Sequence, residues 1–251
     1  MASKFYVVWA GRKPGIYTSW NECKAQVDGF AGARYKSFKT QAEADAAFGG
    51  KSVTAAAKPS PKRSNNGVKT YSAAEVDALQ AQTKIFTDGG CEPNPGEAGS
   101  GVAIYRDGQL SELWFGLYNP MGTNNTAELN ALIQALLIAK AELANGRSAA
   151  IFCDSKYSIQ CVTQWAIGWQ KKGWTKSGGE IKNLELIQQA FELHQQLKDK
   201  LQVLHVNGHV GVEGNELADR MSIWAMQSKE VDFARYPEPL NIVEILAMQA
   251  G

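Results

Sequence analysis

Four acidic residues that are far apart in the chain lie beside segments with the apolar patterns of regular secondary structure. Asp88 and Asp154 each follow a short apolar strand pattern, Glu128 opens a long helical pattern, and Asp219 lies within a later one. If the fold brings these four side chains close together, their negative charges repel one another. A bound divalent cation would offset this repulsion. The pattern therefore predicts a sheet with a metal-binding carboxylate cluster at its edge.

Each acidic residue also has an ordinary explanation when it is considered alone. Asp88 precedes two glycines, as a turn aspartate does, and Asp154 suits the first position of a helix. Glu128 lies three residues after Asn125, as a capping glutamate would, and Asp219 fits a solvated helix face. Their joint occurrence favours the metal site. A pair of Mg²⁺ or Mn²⁺ ions about 3.5–4 Å apart is the arrangement that enzymes use for in-line attack on phosphodiesters.

His209 is a fifth candidate, since it lies in a glycine-containing loop between the last strand and the last long helix. Its ordinary interpretation is a loop histidine without a role. The functional interpretation is a titratable group on a flexible loop beside the metal site.

From residue 84 onward, strand and helix patterns alternate in an order that is typical of a mixed sheet with helices packed on it. We predict an α/β fold with a five-stranded sheet. The strand patterns cover 85–87, 101–105, 110–118, 149–153 and 201–206, and the helical patterns cover 129–143, 181–198 and 215–227.

The first 48 residues predict a separate small α/β domain, because short strand patterns alternate with two helices that begin at capping boxes, Ser19–Glu22 and Thr40–Glu43. A stretch rich in Gly, Ser, Pro and Lys follows, which is typical of a flexible linker. The predicted organisation is a small domain at 1–48, a basic linker at 49–82, a main domain at 83–228 and a C-terminal tail at 229–251, in which an apolar helix packs back on the body.

The charge is unevenly distributed along the chain. Residues 1–70 contain twelve basic and four acidic side chains, whereas residues 71–251 contain fourteen basic and twenty-one acidic ones. A basic arm on an acidic body indicates an arm that holds a polyanion, although a basic arm kept for solubility is the simpler alternative.

Other features narrow the class of protein. No run of about 18 apolar residues is present to span a bilayer, and the first residues lack a secretory pattern. The four cysteines show neither zinc-site nor disulfide spacing, which is typical of a reducing cytoplasm. We expect a cytoplasmic monomer without a membrane partner. The cysteines are Cys23, Cys91, Cys153 and Cys161.

The motifs from residue 84 to residue 226 resemble those of type 1 ribonuclease H in order and spacing. They are Thr87–Gly90, Thr123–Leu129, Asp154–Ser155, Gly208–His209 and Gly214–Asp219. The resemblance implies an endonuclease that cuts the RNA strand of an RNA/DNA hybrid and leaves 5′-phosphate and 3′-hydroxyl ends. It also implies two Mg²⁺ ions, with Mn²⁺ as an alternative, and a mobile histidine at His209. The implied metal ligands are Asp88, Glu128, Asp154 and Asp219.

Residues 5–48 resemble the hybrid-binding domain found at the N-terminus of many members of that family. The positions that match its nucleic-acid contacts are Tyr6, Trp20, Tyr35 and Lys36. Ser37 replaces a second lysine that some relatives have, which implies weaker binding.

The resemblance also implies nucleic-acid contacts in the main domain. Residues 165–174 match the family's basic protrusion, in which aromatic side chains and lysines alternate. The individual positions implied to meet the DNA strand, its phosphates or the nucleotides near the cut are Asn94, Thr123, Asn124, Asn125, Tyr157, Trp165, Ser177 and Asn183.

Two other functions fit parts of the pattern. One is a non-catalytic hybrid-binding protein with a degenerate nuclease fold, against which the intact carboxylate set argues. The other is a DNA-cutting relative such as an integrase, which usually needs three acidic residues at a different spacing.

Overall fold

The computed structural model describes residues 5–28, 30, 33–38, 40–48, 68–208 and 211–251. The chain divides into two compact units, Met1–Asn65 and Asn66–Gly251. His209 lies outside the described residues.

The first unit is a three-stranded antiparallel sheet with two helices. Its sheet order is β2-β1-β3. Both side chains of the predicted Ser19–Glu22 capping box accept the expected backbone hydrogen bonds. The small core contains Val8, Cys23 and Val27. The elements are β1 (Phe5–Ala10), β2 (Gly15–Tyr17), α1 (Trp20–Val27), β3 (Arg34–Phe38) and α2 (Gln41–Phe48).

The second unit is built on a mixed sheet flanked by helices, as predicted. Its strands are β4 (Thr70–Tyr71), β5 (Thr83–Glu92), β6 (Gly96–Arg106), β7 (Gln109–Gly122), β8 (Ala149–Cys153), β9 (Leu201–Val206) and β10 (Phe233–Arg235). The strand order is β10-β7-β6-β5-β8-β9-β4. The five central strands are the predicted ones, and the short strands β4 and β10 extend the two edges.

Helices cover both faces of this sheet. They are α3 (Ala73–Ala78), α4 (Asn124–Ala144), α5 (Lys156–Gln160), α6 (Ala166–Lys171), α7 (Leu184–Leu197), α8 (Glu213–Ser228) and α9 (Ile242–Leu246), with a π-helical turn at Cys161–Trp165.

Alternation along the strands supplies a core on each face of the sheet. Ile85 and Ile151 pack in one cluster with residues of α4 and α7. Their neighbours Phe86 and Phe152 pack in the other cluster with residues of α8 and α9. The sheet is therefore apolar on both faces and positions its polar groups at the strand ends.

The structure excludes three of the ordinary explanations for the acidic residues. Strand β5 continues through Glu92, so Asp88 lies inside a strand and not in a turn. Helix α4 is capped by Thr123 and not by Asn125. The N-cap of α5 is Ser155, whose side chain accepts from the Ser158 backbone N–H, so Asp154 is not the cap.

Residues on either side of the predicted main domain join the second unit. Residues 70–78 lie in the predicted linker range, yet they form β4 and α3. Residues 229–251 pack back on the body as predicted, with β10 pairing to β7 and Ile245 of α9 only 2% exposed. Val243, in the same short helix, is 78% exposed, so the packed face of α9 does not include it.

The four cysteines carry free thiols, as predicted. Among the described residues, no helix combines the length and the apolar character that crossing a bilayer requires.

Candidate active site

Strand register places Asp88 beside Asp154. Strands β5 and β8 are parallel neighbours in which Thr87 is aligned with Cys153. Because adjacent strands are about 4.8 Å apart, the residues that follow this pair emerge side by side. Two carboxylates therefore meet at the carboxyl end of one strand and in the middle of the other.

A close approach between β5 and α4 brings Glu128 to the same place. A Cβ atom on Gly89 would lie 2.2 Å from the Glu128 backbone nitrogen, so only glycine allows this packing. The Ser100 hydroxyl also donates to the Ala127 carbonyl at 2.8 Å. The glycine after Asp88 therefore acts through close packing and not through a turn.

Helix α8 supplies Asp219 by a similar approach on the other face of the sheet. A Cβ atom on Gly101 would lie 2.0 Å from the Ala218 carbonyl oxygen. Asp88, Glu128, Asp154 and Asp219 all line one cavity of about 550 Å³. The structure thus brings together the four carboxylates that the sequence singled out.

Burial and mutual repulsion make the cluster costly when it is ionised. The pKa of Asp88 rises to about 8, first because the group is buried and then because Asp154 and Asp219 are close. The pKa of Glu128 is raised well above its ordinary value by burial and by the charges of Asp88 and Asp154. Nearby positive charge would favour the ionised form of both groups.

The donor set fits a hard divalent cation. Carboxylate oxygens are the ligands that Mg²⁺ and Mn²⁺ prefer. Glu128 is 4% exposed, and its Oε2 atom has no hydrogen-bond partner in the part of the chain that the structure describes. Ligand atoms of Glu128, Asp154 and Cys153 lie within 4.8 Å of one another. A buried oxygen without a partner indicates a position that an ion would satisfy.

Several contacts that orient these carboxylates were not predicted from the sequence. The Ser222 hydroxyl donates to Asp88 Oδ2 at 2.7 Å, and the Asn215 amide donates to Asp154 Oδ2 at 3.3 Å. His205, to which the sequence assigned no role, bridges Thr70 Oγ1 at 2.8 Å and the Asp154 carbonyl at 3.0 Å. The position of Ser222 could have been found from the sequence. It lies one helical turn after Asp219 and therefore on the same side of the helix.

Replacement of Ser222 by alanine tests its contribution. We expect Ser222→Ala to weaken divalent-ion affinity by about tenfold, because groups that orient metal ligands typically contribute 10–100-fold. The measurement is the Mg²⁺ concentration that gives half-maximal activity, together with Mn²⁺ titration in the absence of substrate. Ser228→Ala is the control, since that hydroxyl donates only to carbonyls of its own helix, Trp224 and Ala225. Equal affinities in both variants would contradict this role.

The loop that carries His209 begins at the site. A Cβ atom on Gly208 would lie 2.6 Å from Asp154 Oδ2. Gly208, the residue before His209, therefore lies next to the Asp154 carboxylate. The role of His209 itself stays a prediction.

The predicted contacts at the start of α4 lie at different distances from the cavity. Asn94 and Asn124 line it, and the side-chain oxygen Oδ1 of Asn94 accepts from the Asn124 backbone N–H at 3.3 Å. Thr123 caps α4, and Asn125 is exposed on the first turn.

A second group of predicted contacts lies near the π-helical turn. The rings of Tyr157 and Trp165 are 6.2 Å apart, and Asn183 lies 3.5 Å from the Tyr157 hydroxyl. Trp165 is 38% exposed, whereas Trp169 is partly buried beside it. Ser177 lies in an exposed turn.

Three aromatic residues form one surface patch on the first unit. The Trp20 ring lies 5.6 Å from Tyr6 and 5.8 Å from Tyr35, and both Trp20 and Tyr35 are more than 40% exposed. Lys36 lies on the opposite face of β3, with its ammonium group 5.7 Å from the Phe38 ring. The structure thus gathers the aromatic candidates and separates Lys36 from them.

The fold and the cavity define an α/β protein with a candidate divalent-metal centre. The family model described as "RNase H" matches residues 80–227, and the model described as "Ribonuclease H1 N-terminal domain" matches residues 4–48. The chain therefore belongs to the ribonuclease H family, as its motifs predicted.

Similar proteins include one that matches most of this chain and one that matches about half of it. Ribonuclease H1 of Mus musculus is 32% identical over 254 residues, which cover 87% of each chain. Ribonuclease H of Acidovorax sp. (strain JS42) is 43% identical over 143 residues, which cover 56% of this chain and 92% of that protein.

A solved structure supports the fold. It is LC9-RNase H1, described as a type 1 RNase H with the type 2 active-site motif, at 22% identity and a TM-score of 0.52. The match covers 68% of this chain and 82% of that one.

Proposed function

We propose that the second unit hydrolyses the RNA strand of RNA/DNA hybrids at the cavity lined by the four carboxylates. The observation that carries this proposal is the convergence of Asp88, Glu128, Asp154 and Asp219 in one cavity of a ribonuclease H family domain. Four buried or partly buried carboxylates that share one cavity repel one another, which is unfavourable without a cation.

We propose Mg²⁺ as the physiological ion, with Mn²⁺ able to replace it, and the same four residues as its ligands. When bound, two such ions would lower the pKa of an attacking water and stabilise the leaving 3′ oxygen. Asp88 lies centrally, because the charges of both Asp154 and Asp219 act on it. It is therefore the ligand best placed to be shared.

The surrounding residues hold this set in place and position the substrate. Ser222 and Asn215 fix the orientation of Asp88 and Asp154. Asn94 and Asn124, at the wall of the cavity, offer amides to the nucleotides beside the cut. Glu128 and neighbouring polar groups would meet ribose 2′-hydroxyls, which distinguish RNA from DNA. His209 would assist proton transfer or product release.

We propose that the complementary strand lies along Tyr157, Trp165 and the lysines near them. Exposed aromatic rings beside cationic side chains suit a nucleic-acid backbone without sequence selection. Thr123, Asn125, Ser177 and Asn183 remain candidates for polar contacts with that strand.

A cleavage assay on matched substrates tests the proposed function. Purified protein with Mg²⁺ should cut labelled RNA within an RNA/DNA hybrid and leave the matched RNA duplex and DNA duplex intact. Products should carry 5′-phosphate and 3′-hydroxyl ends. Cleavage of the DNA duplex would favour the integrase-like alternative, and an intact hybrid with both Mg²⁺ and Mn²⁺ would contradict the proposal.

We propose that the first unit binds the hybrid through the aromatic patch of Tyr6, Trp20 and Tyr35. Lys36, on the other face of β3, is a separate candidate for a phosphate contact. The basic arm would then raise the local substrate concentration for the second unit. The first 70 residues carry eight more basic than acidic side chains, so this binding should weaken steeply with salt.

Deletion of the first unit tests this division of labour. A chain that begins at Asn66 keeps β4 and the whole second unit. We expect hybrid affinity to fall at least about tenfold and processivity to be lost, while single-cut chemistry at saturating substrate is unchanged. The variant Trp20→Ala in the full chain should weaken binding in the same direction. A truncated protein that is inactive at saturating hybrid would contradict the proposal.

A further inference from the structure

The segment that follows α8 returns along the body to the candidate metal site. Strand β10 pairs with β7, and α9 then packs on α8 through Ile245. The Gln227 side chain donates to Gln249 at 3.1 Å, which holds the end of the segment against α8. Gly251 consequently lines the same cavity as the four carboxylates.

The end of this segment contacts one of those carboxylates directly. The Gly251 backbone N–H donates to both Asp219 oxygens at 3.2 Å. The Arg220 guanidinium pairs with Asp219 Oδ2 and also donates to the Leu246 carbonyl at 3.4 Å from each of two nitrogens. Asp219 is thus tied to the segment twice, once by Gly251 and once through Arg220.

These contacts use the lone pairs that a metal ion would need. A carboxylate offers about four acceptor positions. The Arg220 contact and the shared Gly251 N–H occupy positions on both oxygens of Asp219, and Gly251 lines the cavity beside them. An N–H group and a cation cannot occupy the same position on an oxygen. Docking of Gly251 and coordination by Asp219 are therefore in competition.

We propose that residues 247–251 form a latch that closes on Asp219 in the metal-free protein and is displaced when a divalent ion binds. The proposal rests on the proposed metal site. By linkage, whatever strengthens the latch must weaken ion binding by the same factor, and ion binding must loosen the latch.

Two variants open the latch by different routes. A chain ending at Gln249 removes the Gly251 donor and keeps Met248 on the core. Gly251→Ala keeps the donor, but its Cβ atom would lie 2.7 Å from Asp219 Oδ1, so residue 251 or the Asp219 side chain must shift before the N–H can dock. Val243→Ser is the matched control, because Val243 belongs to the same segment and is 78% exposed.

The experiment is calorimetric titration of each protein with Mn²⁺ alone, without nucleic acid. We expect the shortened chain and Gly251→Ala to bind Mn²⁺ about tenfold more tightly than the full chain, as loss of one hydrogen bond to a charged group predicts. Val243→Ser should match the full chain. Mn²⁺ should also accelerate hydrogen exchange of the amides of residues 247–251 in the full chain.

The outcomes separate the latch from the site on which it depends. Equal Mn²⁺ affinity in all four proteins, or weaker binding by the opened variants, would overturn the latch and leave the metal site standing. Absence of Mn²⁺ binding in every protein would overturn the latch and the proposed metal site together.

Discussion

Asp154→Asn is expected to abolish cleavage and to preserve hybrid binding. The substitution keeps the size of the side chain and removes one negative charge from the cavity. Metal ions contribute several kcal/mol of transition-state charge stabilisation, so misplacing them should lower kcat by roughly a thousandfold. Binding should persist, since the aromatic patch and the basic arm are unchanged. The measurements are single-turnover cleavage with Mg²⁺ and hybrid affinity by fluorescence anisotropy.

Asp232→Asn is the matched control for this experiment. It makes the same chemical change at an acidic residue outside the cavity. The control should cleave at the full rate. If Asp154→Asn cleaved as fast as the control, the four-carboxylate site would be wrong. If the parent protein bound hybrid and never cleaved it, the non-catalytic alternative would be preferred.

The metal-free protein is expected to lose stability as pH rises from 5 to 8. The pKa of Asp88 is raised to about 8 in the folded state, from an ordinary value of 3.8. The folded state therefore holds this proton more tightly than the unfolded state does. The stabilisation is complete below the unfolded pKa and is lost as pH climbs through the folded one. The loss should reach several kcal/mol, since each pKa unit corresponds to about 1.4 kcal/mol.

Urea unfolding at fixed pH values, with and without Mg²⁺, measures this effect. Saturating Mg²⁺ should flatten the decline, because the ion favours the ionised carboxylates. His194 and His205 have lowered pKa values through burial, so they contribute in the opposite direction below about pH 6.5. The informative quantity is therefore the difference between the parent and Asp88→Asn. Parallel pH profiles for these two proteins would contradict the raised pKa of Asp88.

The positions of the catalytic candidates were predictable because strand alternation and strand ends are local features. Asp88 and Asp154 each follow an apolar strand pattern, and the parallel pairing of β5 with β8 then places them side by side. The roles of Glu128 and Asp219 could be predicted only with the help of the family resemblance. Helical spacing alone left an ordinary explanation for each of these two residues.

The contacts around the carboxylates could not be predicted in the same way. Ser222 meets Asp88 across 134 positions of sequence, and Gly251 meets Asp219 across 32. Such pairs depend on how closely α8 packs on the sheet and on where the final segment turns. The ordinary explanation of Asp88 as a turn residue fails for the same reason. Two glycines after an aspartate indicate a turn locally, whereas here Gly89 makes room for the backbone of α4.

The short edge strand β4 is linked to the candidate active site, so loss of its pairing with β9 would affect that site. Thr70 holds one nitrogen of His205, and the other nitrogen holds the carbonyl of Asp154. Thr70 is therefore connected to Asp154, a candidate ligand, through the single side chain of His205. A fragment that begins at Ser72 would contain every predicted catalytic residue. It would lack Thr70, whose contact with His205 helps to position Asp154.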